Sequence, residues 1–116
     1  RGYAENMAHA VLLAVDKPDA AAGKIYNCAD EQAISVANWV QMIARCMDWE
    51  FEICGIPDAY AHTTRDFLPL DTSTNHQLLD LHNIKNDLGY RDIVPMQEAI
   101  ARTVAWTLAH PEWLLP

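Results

Sequence analysis

The chain has 116 residues, enough for one folded domain, and its hydrophobic share of 51% and charged share of 21% are typical of a globular protein. A formal net charge of -8 at pH 7 argues against a general nucleic-acid-binding surface, because phosphate binding requires clustered Lys and Arg and the eight basic residues are spread along the chain. No apolar run approaches the ~20 residues that cross a bilayer, and the first residues lack the pattern of a signal peptide, so we expect a soluble, cytoplasmic protein that does not enter a membrane.

Residues 5–16 are predicted to form the first helix. Its apolar residues lie on one helical stripe and on the flank beside it, and they are Met7, Ala8, Ala10, Val11, Leu12, Leu13, Ala14 and Val15. This apolar surface is wider than a single covering layer needs, so burial on more than one side is expected. Pro18 and Gly23 end the helix, and the β-favouring residues 24–28 predict a short strand after it.

A second helix is predicted from an N-cap at Ser35 to about Asp48. Its apolar positions fall on one face and are Val36, Trp39, Val40, Ile43, Ala44 and Met47. Residues 49–54 then alternate between one apolar set and one mostly acidic set. The apolar set is Trp49, Phe51 and Ile53, and the other set is Glu50, Glu52 and Cys54. This period of two predicts a strand with one buried face.

The segment from residue 57 to about residue 77 is irregular in pattern, with a short helical turn expected at residues 58–63. Residues 78–80 predict a brief strand. A short helix is predicted at residues 81–87, with Gly89 as a candidate for its C-cap.

The last helix is predicted to begin at Pro95 and to end before Pro111. Its buried stripe is expected to consist of Met96, Ile100, Val104 and Leu108. Helical spacing also places four large side chains in the predicted core, namely Trp39, Met47, Met96 and Trp106.

The order of these elements predicts a single α+β domain over residues 1–116, mostly helical with a few short strands. The three cysteines, Cys28, Cys46 and Cys54, form no CxxC pair and are interpreted as reduced structural thiols. The five histidines include no HExxH pair. We therefore predict neither a metal site nor a catalytic residue in this chain.

Several short segments occur in an order and spacing that is similar to one known family. They are RGYAENMAHA at residues 1–10, GKIYN at 23–27, SV at 35–36, IP at 56–57, Asp80 with IK at 84–85, LGY at 88–90, and Trp106. Together they resemble the C-terminal region of the extended short-chain dehydrogenase/reductase family, the NAD-dependent epimerases and dehydratases. The resemblance spans nearly the whole chain, although the stretch around Arg65 lacks the Arg, Pro, Gly, Asp run of many nucleotide-sugar members.

The resemblance implies a substrate-binding domain without its N-terminal Rossmann cofactor domain. The glycine-rich turn that binds a dinucleotide in the family is absent, and no Tyr is followed by Lys at the fourth position. NAD or NADP is therefore implied only for a full-length parent. We expect the isolated chain to be catalytically inactive and not to bind NAD.

The resemblance also implies four substrate-binding residues. The arginine matching Arg1 clamps the substrate diphosphate in nucleotide-sugar members, and Arg65 lies where the family often has a second phosphate-contacting arginine. Tyr3 and Asn6 are expected to border the substrate pocket. The implied ligand is a nucleotide sugar or a related small molecule.

Two other functions remain open at this point. The chain could instead be a stand-alone interaction or oligomerisation module derived from such a domain, or a small unrelated ligand binder. The wide apolar surface of the first helix predicts a homodimer in which Leu12, Leu13 and Val15 become buried.

Overall fold

The structure is a computed structural model, and it describes residues 2–55, residue 57 and residues 78–113. Five α-helices cover most of these residues: α1 is Ala4–Asp16, α2 is Pro18–Ala21, α3 is Val36–Cys46, α4 is His82–Leu88 and α5 is Met96–Ala109. A 3-10 turn, Pro111–Trp113, follows α5. The described part of the chain is therefore helical.

The predicted α+β fold class is wrong, because residues 2–55, 57 and 78–113 contain no strand. The segments 24–28, 49–54 and 78–80 have the residue patterns of strands, but a strand also needs a second backbone to bond with. Residues 24–28 are held by side chains instead. Tyr26 donates its hydroxyl hydrogen to Asp87, and the Asn27 amide donates to the carbonyl of Asp80.

The four predicted helices are confirmed, with ends that move by one or two residues. Ser35 caps α3 as expected, since its hydroxyl oxygen accepts a hydrogen bond of 3.1 Å from the Asn38 N–H. Gly89 follows α4 at a φ of 75°, a left-handed conformation that glycine adopts without a steric penalty.

Helix α3 ends in a Schellman motif that has an aspartate in the usual place of glycine. Asp48 has a φ of 52°. The Trp49 N–H donates to the Ala44 carbonyl at 3.0 Å, and the Asp48 N–H donates to the Arg45 carbonyl at 3.3 Å. These two bonds fix the direction in which residues 49–54 leave the helix.

The buried residues form two packed regions. Helices α1, α2 and α4 surround a cluster in which Leu88 and Tyr90 are almost completely buried, and Ala10, Leu81 and Ile84 complete it. Helix α3 packs against α5, where Ala44, Ala99, Ile100 and Val104 are buried.

Part of the predicted core lies at the surface. Trp106 is 51% exposed, Met47 is 41% exposed and Leu108 is 55% exposed, so these three predictions are wrong. The helical period gives the face on which an apolar residue lies, but it does not give the width of the neighbouring element that covers that face. In α5 the covered part is centred on Ala99, Ile100 and Val104.

Asn6 joins the start of α1 to the turn before α5. It is 1% exposed. Its side-chain oxygen accepts from the backbone N–H groups of Ile93 at 3.0 Å and Val94 at 2.9 Å, and its amide nitrogen donates to the Val94 carbonyl at 3.0 Å. One asparagine side chain therefore satisfies three backbone groups of a segment nearly ninety residues away.

Replacing Asn6 by alanine is expected to lower the free energy of unfolding by about 3 kcal/mol, because it leaves buried backbone groups without partners. Urea denaturation followed by circular dichroism measures this change. Asn83→Ala is the matched control, since Asn83 is exposed on α4 and its side chain makes no hydrogen bond within the described residues. A loss below about 1 kcal/mol for Asn6→Ala would show that the three bonds do not hold the turn.

Candidate functional site

Two of the four predicted substrate-binding residues, Arg1 and Arg65, lie outside the described residues. The other two, Tyr3 and Asn6, lie at the start of α1 but in different surroundings. Asn6 is buried, and its contacts are to backbone groups. Tyr3 is half-buried and faces a surface groove. Their roles in substrate binding stay predictions.

The groove beside Tyr3 has a volume of about 310 Å³ and is lined by Tyr3, Arg102, Thr103 and Trp106. It lies between the residues that precede α1 and the second half of α5. Its lining combines two aromatic rings with a hydroxyl group and a guanidinium group. Small-molecule sites commonly have this composition, in which apolar walls are joined by a few polar groups that fix orientation.

Arg102 is held between two carboxylates at the rim of the groove. One of its terminal nitrogens lies 3.1 Å from both oxygens of Glu5, and the other lies 2.6 Å from Glu98. The hydrogen bond to Glu98, followed by that to Tyr3, raises the pKa of Arg102 further above its ordinary value, so the guanidinium stays protonated. One guanidinium and two carboxylates carry a net charge of -1.

Trp106 forms the aromatic wall of the groove. Its ring stacks on His110 with a centroid distance of 4.4 Å and an interplanar angle of 21°, while His110 Nδ1 lies 2.8 Å from the Trp106 carbonyl. The Thr103 hydroxyl donates to the Ala99 carbonyl at 2.8 Å. Its oxygen therefore keeps acceptor capacity for a ligand hydroxyl.

A network of acidic side chains fixes the chain segment that supports Tyr3. The Tyr3 N–H donates to Asp30 at 3.0 Å. Next to it, Glu31 and Asp92 exchange backbone-to-carboxylate bonds: the Glu31 N–H donates to Asp92 at 3.0 Å, and the Asp92 N–H donates to Glu31 at 2.8 Å. Lys85 lies 2.7 Å from Glu31. These bonds link the loop before α3, the turn before α5 and helix α4.

The electrostatics of this network follow from its geometry. Burial alone would raise the pKa of Glu31, but the hydrogen bonds from Lys85 and from the Asp92 N–H outweigh burial and lower that pKa below its ordinary value. Burial, together with the hydrogen bond to Asp92, raises the pKa of Tyr90 far above its ordinary value. Burial likewise raises the pKa of the Cys28 thiol, which lowers the fraction of thiolate at neutral pH.

Sequence reasoning missed Arg102 and Thr103 as groove residues and placed Trp106 in the core. A usable signal was present, because residues 102, 103 and 106 lie on one helical face and Glu98 precedes Arg102 by four residues. That spacing predicts an ion pair on a solvent-facing side of α5. It does not predict that Tyr3, nearly one hundred residues earlier, lies beside it.

Within residues 2–55, 57 and 78–113, no group of three or more His, Cys, Asp or Glu side chains is arranged to hold a metal ion. None of the helices in this part of the chain has both the length and the apolar character needed to cross a membrane. Comparisons with protein-family models, with curated proteins and with solved structures found no match.

Glu31 is expected to make stability depend on pH in the acidic range. Because its pKa in the folded state is below the ordinary value of 4.5, its contribution is fully present above pH 4.5 and is lost as pH falls through the folded-state pKa. We expect Glu31→Gln to be less stable than the original protein by about 1 kcal/mol at neutral pH, with a difference that shrinks on acidification. Thermal unfolding across this range measures it. The exposed Glu52→Gln is the control, and a Glu31→Gln difference that stays constant with pH would contradict the assignment.

Proposed function

We propose that this chain is the substrate-binding part of an NAD-dependent epimerase or dehydratase of the extended short-chain dehydrogenase/reductase type, and that it binds a nucleotide sugar or a related hydroxylated molecule without catalysing a reaction alone. The observation that carries the proposal is the groove beside Tyr3. Residues 1–10, one of the segments that carry the family resemblance, contribute Tyr3 to a groove with aromatic, hydroxyl and guanidinium groups.

The chemistry of the groove suits the sugar end of such a ligand. The apolar C–H face of a sugar ring packs on an aromatic wall such as Trp106, while hydroxyl groups bond to the Glu5 and Glu98 carboxylates and to Thr103. A diphosphate is less well matched here, because Arg102 is already neutralised by two carboxylates. In this proposal the diphosphate is bound by Arg1 and Arg65, as the family resemblance implies.

Trp106→Ala is expected to weaken binding of a nucleoside diphosphate sugar about fivefold, because it removes one aromatic wall worth about 1 kcal/mol. Calorimetry of the full chain with uridine diphosphate glucose, uridine diphosphate and NAD measures it. We expect the sugar nucleotide to bind more tightly than the diphosphate alone, and NAD not to bind.

Trp49→Ala provides the matched control, since Trp49 is also a surface tryptophan, 63% exposed, and lies outside the groove. Equal weakening by the two substitutions would place the ligand elsewhere. If the original chain does not bind uridine diphosphate glucose at millimolar concentration, the proposal is wrong.

Self-association is the second candidate function, and the exposed side of α1 favours it. Val11 is 63% exposed, Leu12 is 58% exposed and Val15 is 67% exposed, and they form an apolar stripe with Ala4 and Ala8. Antiparallel pairing of two α1 helices across a two-fold axis would bring the N-terminus of each near the C-terminus of the other, so their dipoles would be complementary. Leu13 would add less apolar area to the contact between two α1 helices, because it already packs against the core.

Leu12→Glu is expected to convert a homodimer into a monomer, because the new carboxylate would lie in the apolar contact. Sedimentation velocity at micromolar to millimolar protein measures the oligomeric state. Leu108→Glu is the matched control, as Leu108 has a similar exposure of 55% on α5. A monomer at all concentrations, or dissociation caused equally by both substitutions, would exclude pairing through α1.

A further inference from the structure

Residues 49–54 lie at the surface outside any helix, and their side chains alternate between apolar residues and glutamate or cysteine. Every residue from 49 to 54 is exposed, and the apolar side chains retain exposures of 63% at Trp49, 39% at Phe51 and 47% at Ile53. The Trp49 and Phe51 rings lie 6.2 Å apart, as expected for neighbours on one side of an extended chain. Glu50 and Glu52 alternate with them.

The backbone of this segment is available for pairing. Within the described residues, the N–H and C=O groups of residues 50–54 make no backbone hydrogen bond. The Schellman motif at Asp48 fixes the backbone at Trp49, so the first residue of the segment is ordered before a partner binds. An extended segment with free backbone groups and alternating side chains is suited to addition of a second strand.

An open groove lies between the second half of α3 and the first residues of the segment. It has a volume of about 350 Å³, and its lining is Gln41, Ala44, Arg45, Trp49, Glu50 and Phe51. Side chains from the apolar side of an added strand would pack against the aromatic part of this lining.

The charges of Glu50 and Glu52 determine which kind of strand can pair with residues 49–54. In every register that forms two or more apolar pairs, a second copy of this segment would place Glu50 or Glu52 opposite a glutamate, and like charges directly opposite are unfavourable. Lysine or arginine in the partner strand, opposite Glu50 and Glu52, would instead form cross-strand ion pairs. Self-pairing is therefore disfavoured and pairing with a basic strand is favoured.

We propose that residues 49–54 bind an extended peptide in which apolar residues alternate with Lys or Arg, by adding it as a strand to their free backbone edge. This inference does not rest on the proposed sugar site, because no residue of 49–54 lines that groove.

The proposal is tested with three capped hexapeptides on the full chain. Acetyl-KVKVKV-amide has the favoured pattern, acetyl-KKKVVV-amide has the same charge in block order, and acetyl-EVEVEV-amide has the opposite charge. Calorimetry is expected to show the first peptide binding at least tenfold more tightly than either of the others. The block peptide separates strand pairing from simple attraction to an acidic protein.

Two variants complete the test. The double substitution Glu50→Lys and Glu52→Lys is expected to exchange the preference, so that acetyl-EVEVEV-amide becomes the tighter ligand. Trp49→Ala is expected to weaken peptide binding severalfold, whereas Trp106→Ala leaves it unchanged. N-methylation of alternate residues in acetyl-KVKVKV-amide removes backbone donors and is expected to abolish binding to the original chain.

The proposal is overturned if the alternating and block peptides bind equally, if N-methylation has no effect, or if the charge-reversed variant keeps the original preference. Absence of binding by acetyl-KVKVKV-amide at millimolar concentration also overturns it. Circular dichroism of the variants confirms that each loss is not a loss of folding, since all the substituted side chains are exposed.

Discussion

A single buried amide holds the two ends of the described chain together. Asn6 bonds to both N–H groups and to one carbonyl of Ile93 and Val94, and it has almost no contact with water. The turn at these residues has no sheet to satisfy its backbone, and α5 begins two residues later. The position of α5 relative to α1 therefore depends on this contact, and so does the groove that Tyr3 shares with Arg102 and Trp106.

Carboxylate side chains also connect parts of the chain that are distant in the sequence. Asp30, Glu31, Asp87 and Asp92 each accept a hydrogen bond from a residue distant in the sequence. Asp30, Glu31 and Asp92 accept from backbone N–H groups, whereas Asp87 accepts from the side chains of Lys24 and Tyr26. The hydrogen bonds from Lys85 and from the Asp92 N–H also hold the pKa of Glu31 below its ordinary value, although burial alone would raise it.

Four of the five α-helices in the described residues could be predicted from the sequence, because the signals that start and end them are local; α2, Pro18–Ala21, was not predicted. Ser35 is a capping residue directly before an apolar face, and Gly89 follows a short helical pattern at a position where a left-handed residue is needed. The strand predictions were wrong because a strand is not a local feature. A period of two in the sequence is typical of an extended segment, but it does not show whether a second segment lies beside it to form hydrogen bonds. Tyr3 was chosen through the resemblance to a family, and its role in binding stays a prediction. Its position beside Arg102 and Trp106 is a tertiary contact that no local spacing encodes.

The hydrogen bonds that join early residues to much later ones also set an order of events during synthesis. Residues 3, 6, 17, 24 and 31 all bond to residues between 30 and 94, and four of the five have partners at or beyond residue 87. On a ribosome, the first helix therefore emerges long before the chain that covers it. Closing so long a loop is slow compared with forming the helices themselves. Until residues 81–90 have been synthesised, the side of α1 that carries Ala10 lacks the residues that cover it in the folded structure.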